Sequence, residues 1–280
     1  MIIFKIPAEL TAFIRTSRAK GVSVGFVPTM GALHNGHISL VKLSKNENTL
    51  TVCSIFVNPT QFNNPDDFKK YPITIENDID MLEKWGCDIL FLPAVEEIYP
   101  PGSIKLHYDL SYLETVLEGK YRPGHFQGVC QVVDRLLNIV IPDKLYLGQK
   151  DFQQCMVITK LVKLKNINTQ IIVCPTLRET DGLAMSSRNT RLNTAERKLA
   201  VKIYETLSLV KNEIKKGSLE AVKIKAAEHL SASGFKTDYI EIADASSLAL
   251  QETWDGEKKL VGLVAASLND IRLIDNLLLN

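Results

Sequence analysis

Two histidines, His34 and His37, stand three residues apart in the segment PTMGALHNGH, which spans Pro28 to His37. The segment follows an apolar, strand-like run and opens a helical pattern, and the backbone N–H groups at the start of a helix attract phosphate. Residues three apart share one face of a helix, so both imidazoles could donate hydrogen bonds to one polyphosphate. A capping turn with two surface histidines is the alternative. A zinc site is disfavoured, because no third ligand accompanies the pair at a fitting spacing.

Two more segments carry groups that suit phosphate. In GQKDFQQ, Gly148–Gln154, Lys150 can reach phosphate as a mobile point charge, and Asp151 can cap the helix that follows. In MSSRN, Met185–Asn189, two hydroxyls beside Arg188 make a flexible anion clamp. The alternatives are a surface loop for the lysine segment and an ordinary helix cap for the serine segment.

The elements that must position these segments alternate between short apolar strands and helical patterns. Such alternation is typical of a parallel sheet covered on both faces, and it predicts a Rossmann-like, doubly wound α/β fold. Ligands of these sheets bind beyond the carboxyl ends of the strands. The predicted strands are Ser23–Thr29, Thr49–Pro59, Cys87–Pro93, Asp143–Gly148 and Thr169–Pro175, and the predicted helices are Gly36–Lys45, Asn77–Trp85, Val129–Val140 and Phe152–Leu164.

The pattern changes after residue 176. Thr194 is a good N-cap and Gly217 a good stop signal, which predicts one long helix over Thr194–Lys216. Two helices followed by strands indicate a smaller α+β domain, so we place the domains at residues 1–176 and 177–280. The other predicted elements of the second domain are a helix over Ser218–Ser233 and strands over Tyr239–Ala243 and Lys259–Leu268.

Composition narrows the class of protein. The 280 residues are 45% apolar and 23% charged, and 33 basic against 32 acidic side chains leave a net charge of +1. The apolar and charged fractions exclude a disordered chain. The near-zero net charge excludes an overall positive potential that would attract nucleic acid, so we expect no nucleic-acid partner. No apolar run approaches the roughly 20 residues of a membrane span, and we expect neither a membrane anchor nor a signal peptide. Five scattered cysteines without CxxC spacing indicate buried thiols in the cytoplasm.

Taken together, the histidine, lysine and serine segments resemble the nucleotidyltransferase superfamily of class I aminoacyl-tRNA synthetases. An ordered set of further motifs resembles the pantoate–β-alanine ligase family over nearly the whole chain. Two positions depart from that family's pattern: Ile73 stands where arginine is expected, and Gln149 where glutamate is common. The further motifs are FVNPTQF (Phe56–Phe62), Tyr71–Pro72, EIYPPG (Glu97–Gly102), LEGKYRPGHFQGV (Leu117–Val129) and RLIDN (Arg272–Asn276).

The resemblance implies an ATP-dependent condensation of (R)-pantoate with β-alanine through a pantoyl adenylate, with magnesium, in a homodimer. The first domain would bind ATP and pantoate, and the second would cover the active site. Gln61 and Gln154 would bind pantoate, Gln61 would also receive β-alanine, and His37 would be a proton donor. Asn58, Tyr71 and Arg122 are further candidates around the pocket. The catalytic group would comprise His34, His37, Lys150 and Arg188. The implied ATP-binding residues are Met30, Gly31, Ala32, Leu33, His34, Asn35, Gly36, His37, Gly148, Gln149, Lys150, Asp151, Leu177 (through its backbone), Met185, Ser186, Ser187 and Arg188.

Two other functions stay open at this point. Another nucleotidyltransferase of the superfamily would share the histidine pair and the serine segment, but it would need no paired glutamines and would release a nucleotide-containing product. An RNA-binding module descended from tRNA synthetases is disfavoured by the near-zero net charge and the absence of a basic stretch.

Overall fold

The computed structural model describes residues 1–63 and 68–280. The chain divides into two compact units. The first comprises Met1–Gly148 and Gln154–Pro175, and the second comprises Gln149–Gln153 and Thr176–Asn280.

The first unit is built on a six-stranded parallel sheet, with the strands in the order β1-β4-β3-β2-β5-β6. The order reverses between β2 and β5, which pair in parallel through Gly25 with Lys144 and Phe26 with Leu145. In sheets of this type, ligands bind beside the carboxyl ends of the strands at such a reversal. The strands are β1 (Ile2–Phe4), β2 (Val24–Thr29), β3 (Leu50–Ile55), β4 (Ile89–Phe91), β5 (Lys144–Gly148) and β6 (Gln170–Cys174).

The central strands of this sheet are buried on both faces. Successive side chains of a strand point to opposite faces, so neighbouring residues enter different clusters. Phe26 and Val52 pack into one hydrophobic cluster, whereas the next residues, Val27 and Cys53, pack into another. The doubly wound α/β class is therefore confirmed. The helices described in this unit are α1 (Pro7–Arg18), α2 (Asn35–Glu47), α3 (Ile75–Lys84), α4 (Val95–Ile98), α5 (Leu117–Tyr121), α6 (His125–Val140) and α7 (Phe152–Leu164), of which Phe152 and Gln153 are counted in the second unit.

The second unit pairs helices with antiparallel strands, as expected for an α+β domain. Its main sheet has the order β11-β10-β8, and β7 pairs with β9 in a two-stranded ribbon. The helices are α8 (Thr194–Ala200), α9 (Lys202–Glu213) and α10 (Glu220–Ala232), and the strands are β7 (Gly217–Ser218), β8 (Lys236–Asp244), β9 (Thr253–Trp254), β10 (Leu260–Leu268) and β11 (Ile271–Leu278).

The predicted single helix over Thr194–Lys216 is wrong in three respects. The N-cap is Asn193, whose side chain accepts from the backbone N–H of Ala195 and Glu196, both at 2.9 Å. The helix is interrupted at Val201, because the N–H of Val201 bonds to the carbonyl of Leu199 instead of the carbonyl four residues back. The second half ends at Glu213, and Gly217 belongs to strand β7.

Boundaries elsewhere differ by a few residues. Helix α6 begins at His125, four residues before the predicted start, because the preceding Gly124 adopts a left-handed conformation with φ of 79°. Strand β3 ends at Ile55, and the chain turns into a short 3₁₀ helix at Pro59–Gln61. Among the described residues, no helix is long and apolar enough to cross a membrane.

Candidate active site

The turn after β2 is held by a buried carboxylate. Asp78, on α3, accepts hydrogen bonds from the backbone N–H of Ala32 (2.9 Å) and Leu33 (2.8 Å). The hydroxyl of Thr74 donates to the same carboxylate at 3.0 Å. Gly31 and Ala32 both have positive φ, 80° and 49°, so the chain makes a tight left-handed turn here. The carboxylate fixes this conformation by using two N–H groups that would otherwise be buried without acceptors.

His34 and His37 lie together at the start of α2. His34 is the N-cap and accepts at Nδ1 from the N–H of Gly36 (3.1 Å), and His37 accepts at Nδ1 from the N–H of His34 (3.3 Å). The ring centroids are 4.0 Å apart. An Nδ1 that accepts a hydrogen bond carries no proton, so each neutral ring is assigned a proton on Nε2. The capping turn and the shared face, which the sequence offered as alternatives, are both present.

Gln61 lies against this turn. Its Nε2 is 3.1 Å from Sδ of Met30, and its Oε1 accepts from Nδ2 of Asn58 at 3.0 Å. The backbone carbonyl of Gln61 accepts from Nδ1 of His125 at 2.8 Å. Asn58 is 1% exposed, and its Oδ1 also accepts from the N–H of Thr60. Asn58 thus caps the 3₁₀ turn and sets the orientation of the Gln61 amide.

The other candidates in the first unit differ in their surroundings. Gln154 lies half-buried in the first turn of α7. The ring of Tyr71 is buried and packs edge-on against Phe62 at 5.8 Å between centroids. Nη1 of Arg122 is 3.1 Å from Nε2 of His125. Ile73 is 75% exposed, so the missing arginine at that position leaves a solvent-exposed side chain and no core defect.

The lysine turn belongs to the second unit. Gln149–Asp151 forms a 3₁₀ turn, in which Nζ of Lys150 is 3.6 Å from Oδ1 of Asp151. Nδ2 of Asn276, on β11, donates to the carbonyls of Gln149 (2.9 Å) and Lys150 (2.8 Å). Nε2 of Gln149 donates back to Oδ1 of Asn276 at 3.2 Å. The C-terminal strand therefore holds the turn that carries Lys150.

The serine segment follows a short hairpin in the same unit. The N–H of Met185 donates to the carbonyl of Leu177 at 3.0 Å, which closes the hairpin. Ser186 then caps a 3₁₀ helix over Ser187–Arg191 by accepting from the N–H of Arg188 at 3.3 Å. The helix-cap alternative is thus realised for Ser186.

A buried ion pair lies at the base of that hairpin. Nη1 and Nη2 of Arg178 donate to the two oxygens of Asp275 at 2.6 and 3.0 Å. Burial raises the pKa of Asp275 above its ordinary value, and the hydrogen bonds from Arg178 pull that pKa back down. The RLIDN motif is visible in the sequence, but its pairing with Arg178 was not predicted.

Asp78 is the functional candidate that sequence reasoning missed, although the sequence contains a signal for it. Ile75, Ile79 and Leu82 form the apolar stripe of α3, and Asp78 lies on that stripe, where it is 1% exposed. A carboxylate on the apolar face of a helix must find donors, because burial of an unpaired charge is costly. Within residues 1–63 and 68–280, no group of three or more His, Cys, Asp or Glu side chains is arranged to hold a metal ion.

The family profile of pantoate–β-alanine ligase matches residues 2–278. The chain belongs to the pantoate–β-alanine ligase family. The resemblance inferred from the motifs, the enzyme class and the fold class are all confirmed by this match and by the relatives described next.

Three relatives illustrate the similarity. The pantothenate synthetase of Cytophaga hutchinsonii is 45% identical over 277 residues, which cover 97% of this chain and 96% of the relative. The crystal structure of pantothenate synthetase from Thermus thermophilus has a TM-score of 0.92 at 39% identity, and covers 100% of this chain and 99% of its own. A pantoate–β-alanine ligase from Francisella tularensis, complexed with beta-gamma ATP and β-alanine, has a TM-score of 0.83 at 43% identity, and covers 100% of this chain and 98% of its own.

Proposed function

We propose that the protein joins (R)-pantoate to β-alanine with ATP, and releases pantothenate, AMP and diphosphate. Membership of the pantoate–β-alanine ligase family over residues 2–278 supports this reaction. The single structural observation that carries it is the pair of neighbouring imidazoles, His34 and His37, whose ring centroids lie 4.0 Å apart at the capped start of α2. That position follows β2, which lies at the reversal of strand order where ligands of such sheets bind.

The carboxylate of pantoate must be activated before the amine of β-alanine attacks it. Direct attack would have to expel an oxide ion, which is a poor leaving group. Attack of the pantoate carboxylate on the α-phosphorus of ATP forms a pantoyl adenylate and releases diphosphate. The amine of β-alanine then attacks the acyl carbon, and AMP leaves with the electron pair of the broken acyl–oxygen bond. The protein has to align the reactants and neutralise the charge that develops on the phosphate oxygens.

In the first unit, the histidine turn, Met30–His37, suits the phosphates of ATP. With Nδ1 of each ring used as an acceptor, Nε2–H of His34 and of His37 is the group that can donate to a phosphate oxygen. We assign His37 as the proton donor. The proposed ATP contacts in this unit are Met30, Gly31, Ala32, Leu33, His34, Asn35, Gly36, His37 and Gly148.

In the second unit, Lys150 and Arg188 supply permanent positive charge, and Ser186 and Ser187 supply hydroxyl donors. We propose that Lys150 and Arg188 bind phosphate oxygens and stabilise the transition state. The proposed ATP contacts in this unit are Gln149, Lys150, Asp151, Leu177, Met185, Ser186, Ser187 and Arg188.

Pantoate presents hydroxyls and a carboxylate. Neutral amides can bind these groups without forming a salt bridge that would hold the carboxylate back from reaction. We propose Gln61 and Gln154 for this role, and Gln61 also for β-alanine. Asn58 holds Oε1 of Gln61, so the Nε2 end of that amide is turned toward Met30 of the histidine turn. A donor in that orientation suits a carboxylate that approaches ATP.

Magnesium enters this proposal as the counter-ion of the ATP substrate. Mg²⁺ is usually held by substrate phosphates, waters and one or two carboxylates. The buried carboxylate nearest the histidine turn, Asp78, already accepts three hydrogen bonds. We therefore assign no resident metal site, and the triphosphate itself is the main ligand of the ion.

We further propose a cytoplasmic homodimer. The five cysteines are free and buried, which suits a reducing compartment. Strand β3 lies between β2 and β4 in the sheet and is not an edge strand, so its apolar run is explained by burial in the sheet. The dimer proposal rests on the family resemblance, and light scattering at several protein concentrations tests it: a mass near twice 31.3 kDa supports it, and a concentration-independent monomer contradicts it.

Product analysis by mass spectrometry tests the proposed reaction. Purified protein is incubated with ATP, Mg²⁺, pantoate and β-alanine, and with each substrate omitted in turn. We expect pantothenate and AMP in equal amounts in the complete mixture only. A product that retains the nucleotide would instead identify the protein as a nucleotidyltransferase of the wider superfamily.

A further inference from the structure

The side-chain amide of Asn276 forms all its hydrogen bonds with the lysine turn, Gln149–Asp151. The residue is 2% exposed, and its Nδ2 donates to the carbonyls of Gln149 and Lys150 at 2.9 and 2.8 Å. Its Oδ1 accepts from Nε2 of Gln149 at 3.2 Å. An asparagine amide offers two N–H donors and one carbonyl oxygen, so both hydrogens and the oxygen are engaged by this turn.

The strand that carries Asn276 gives the amide a fixed base. Within β11, Asn276 is paired with Leu263 of β10, and Asp275 with Val264. Strand β10 is the central strand of the three-stranded sheet, and nearly all its side chains are buried. An anchor on such a strand restricts the positions that the lysine turn can adopt, because sites built on sheet strands are held more precisely than sites on loops.

The adjacent residue anchors the hairpin before the serine segment. The guanidinium of Arg178 binds both oxygens of Asp275, the carbonyl of Asn276 (3.1 Å) and the carbonyl of Gly182 (3.1 Å). The ring of Tyr204 stacks on the same guanidinium at 4.4 Å. One dipeptide of β11 therefore contacts the lysine turn directly and the hairpin through Arg178.

We propose that Asn276 is a positioning residue that sets the backbone of Gln149 and Lys150 so that the Lys150 ammonium meets the phosphate of ATP. The inference rests on the proposed role of Lys150. It also gives a physical reason for glutamine at position 149, where the family resemblance leads one to expect glutamate. The Gln149 amide donates to Oδ1 of Asn276, which leaves Nδ2 facing the two carbonyls, and a carboxylate has no N–H to do so.

A double-mutant cycle on ATP–diphosphate exchange tests the proposal. The four proteins are the wild type, Asn276→Ala, Lys150→Ala and the double variant. We expect Lys150→Ala to slow exchange about 10²- to 10³-fold, as for removal of a positioned transition-state donor. We expect Asn276→Ala to slow it about 10²-fold, the effect of misplacing a reacting group by about 1 Å. Because Asn276 acts through Lys150, the double variant should be no slower than Lys150→Ala alone.

The outcomes separate the positioning role from a structural one. If the two losses multiply in the double variant, Asn276 does not act through Lys150 and the proposal is wrong. If Lys150→Ala alone keeps the wild-type rate, the proposed role of the lysine has failed first, and the positioning proposal falls with it. Urea unfolding of all four proteins guards against misfolding of the alanine variant, because the exchange rates are compared only among proteins that are folded under the assay conditions.

Asn280→Ala is the matched control. Asn280 belongs to the same unit and makes the same kinds of bond, since its Nδ2 donates to the carbonyl of Lys258 at 2.9 Å and its Oδ1 accepts from the N–H of Leu260 at 2.8 Å. Both its partners lie outside the lysine turn. We expect exchange at the wild-type rate in this variant. A loss equal to that of Asn276→Ala would show that any broken asparagine bond in this unit lowers activity, and would overturn the proposal.

Discussion

Replacement of Asp78 by asparagine should loosen the turn that precedes the two histidines. The carboxylate accepts from the N–H groups of Ala32 and Leu33, one on each oxygen. Asparagine keeps one carbonyl oxygen and puts an NH₂ group in place of the other, so one buried backbone N–H must face a donor. A buried donor left without an acceptor costs about 1–3 kcal/mol, and we expect the free energy of unfolding to fall by that amount.

The same change should weaken the use of ATP more than the use of pantoate. The turn from Gly31 to Leu33 leads directly into His34, so relaxation around a lost hydrogen bond displaces the groups proposed to meet the phosphates. A displacement of about 1 Å in a positioned group can cost about 10²-fold in rate. We therefore expect kcat/KM for ATP to fall by about that factor, while KM for pantoate stays within about twofold of the wild-type value.

Asp88→Asn is the matched control for this experiment. Asp88 accepts from the backbone N–H of Thr51 at 2.7 Å and binds Nζ of Lys45 at 2.8 Å, so it too is a carboxylate that holds backbone. It lies next to the start of β3, the opposite end of the sheet from the histidine turn. Urea unfolding should show a loss of stability in both variants, and steady-state kinetics should show the ATP defect only in Asp78→Asn. An unchanged ATP dependence in a folded Asp78→Asn protein, or an equal ATP defect in Asp88→Asn, would refute the reasoning.

Three further predictions concern the pantoate contacts, the thiols and the pH dependence of stability. Gln61→Ala should raise KM for pantoate by about 5- to 150-fold, since a buried substrate group left unpaired costs about 1–3 kcal/mol. Isothermal titration should show ATP affinity unchanged, and weakened ATP binding with intact pantoate binding would reverse the assignment. Burial raises the pKa of Cys87 to about 12 and that of Cys174 to about 11. All five cysteines are buried, so a thiol reagent such as Ellman's reagent should label them at pH 8 only as fast as the protein unfolds. Rapid labelling of the folded protein would contradict their burial. The hydrogen bond from Arg197 lowers the pKa of Asp181, so this pair stabilises the fold above the unfolded pKa of about 3.9 and ceases to do so as the pH falls through the lower folded value. Because both side chains are about one-third or more exposed, Asp181→Asn should cost less than about 1 kcal/mol at pH 7. In urea unfolding, the difference in stability from the wild type should shrink below about pH 4, and a pH-independent difference would rule out the ion pair as its cause.

The sheet and the turns that carry His34, His37 and Lys150 could be predicted because their signals are local. Buried parallel strands are mostly apolar along their length, and β2 and β3 are mostly apolar strands in each of which all residues but one are buried. The histidine pair stands at a strand-to-helix junction that periodicity alone locates. Strand β1 and helix α1 were missed, although Pro7 at the first helical position and Leu10 and Ile14, four apart and buried, were usable signals.

The contacts that hold the turns in place could not be predicted, because their partners are distant in sequence. Asp78 lies 45 and 46 residues from the two N–H groups that it accepts from, and Asn276 lies 126 and 127 residues from the carbonyls of the lysine turn. No periodicity connects such positions. The interruption at Val201 was hidden for a different reason, since neither glycine nor proline marks it and the apolar pattern continues across it.

Exchange of labelled diphosphate into ATP tests the central claim most directly. The protein, ATP, Mg²⁺ and labelled diphosphate are mixed with pantoate, and β-alanine is left out. If the pantoate carboxylate attacks the α-phosphorus to form an adenylate, the step is reversible, and label should enter ATP in the presence of pantoate and not in its absence. The His34→Ala and Lys150→Ala proteins should lose most of this exchange, as expected when a positioned donor is removed from the transition state. Pantothenate formation by a protein whose exchange strictly requires β-alanine would contradict the two-step mechanism.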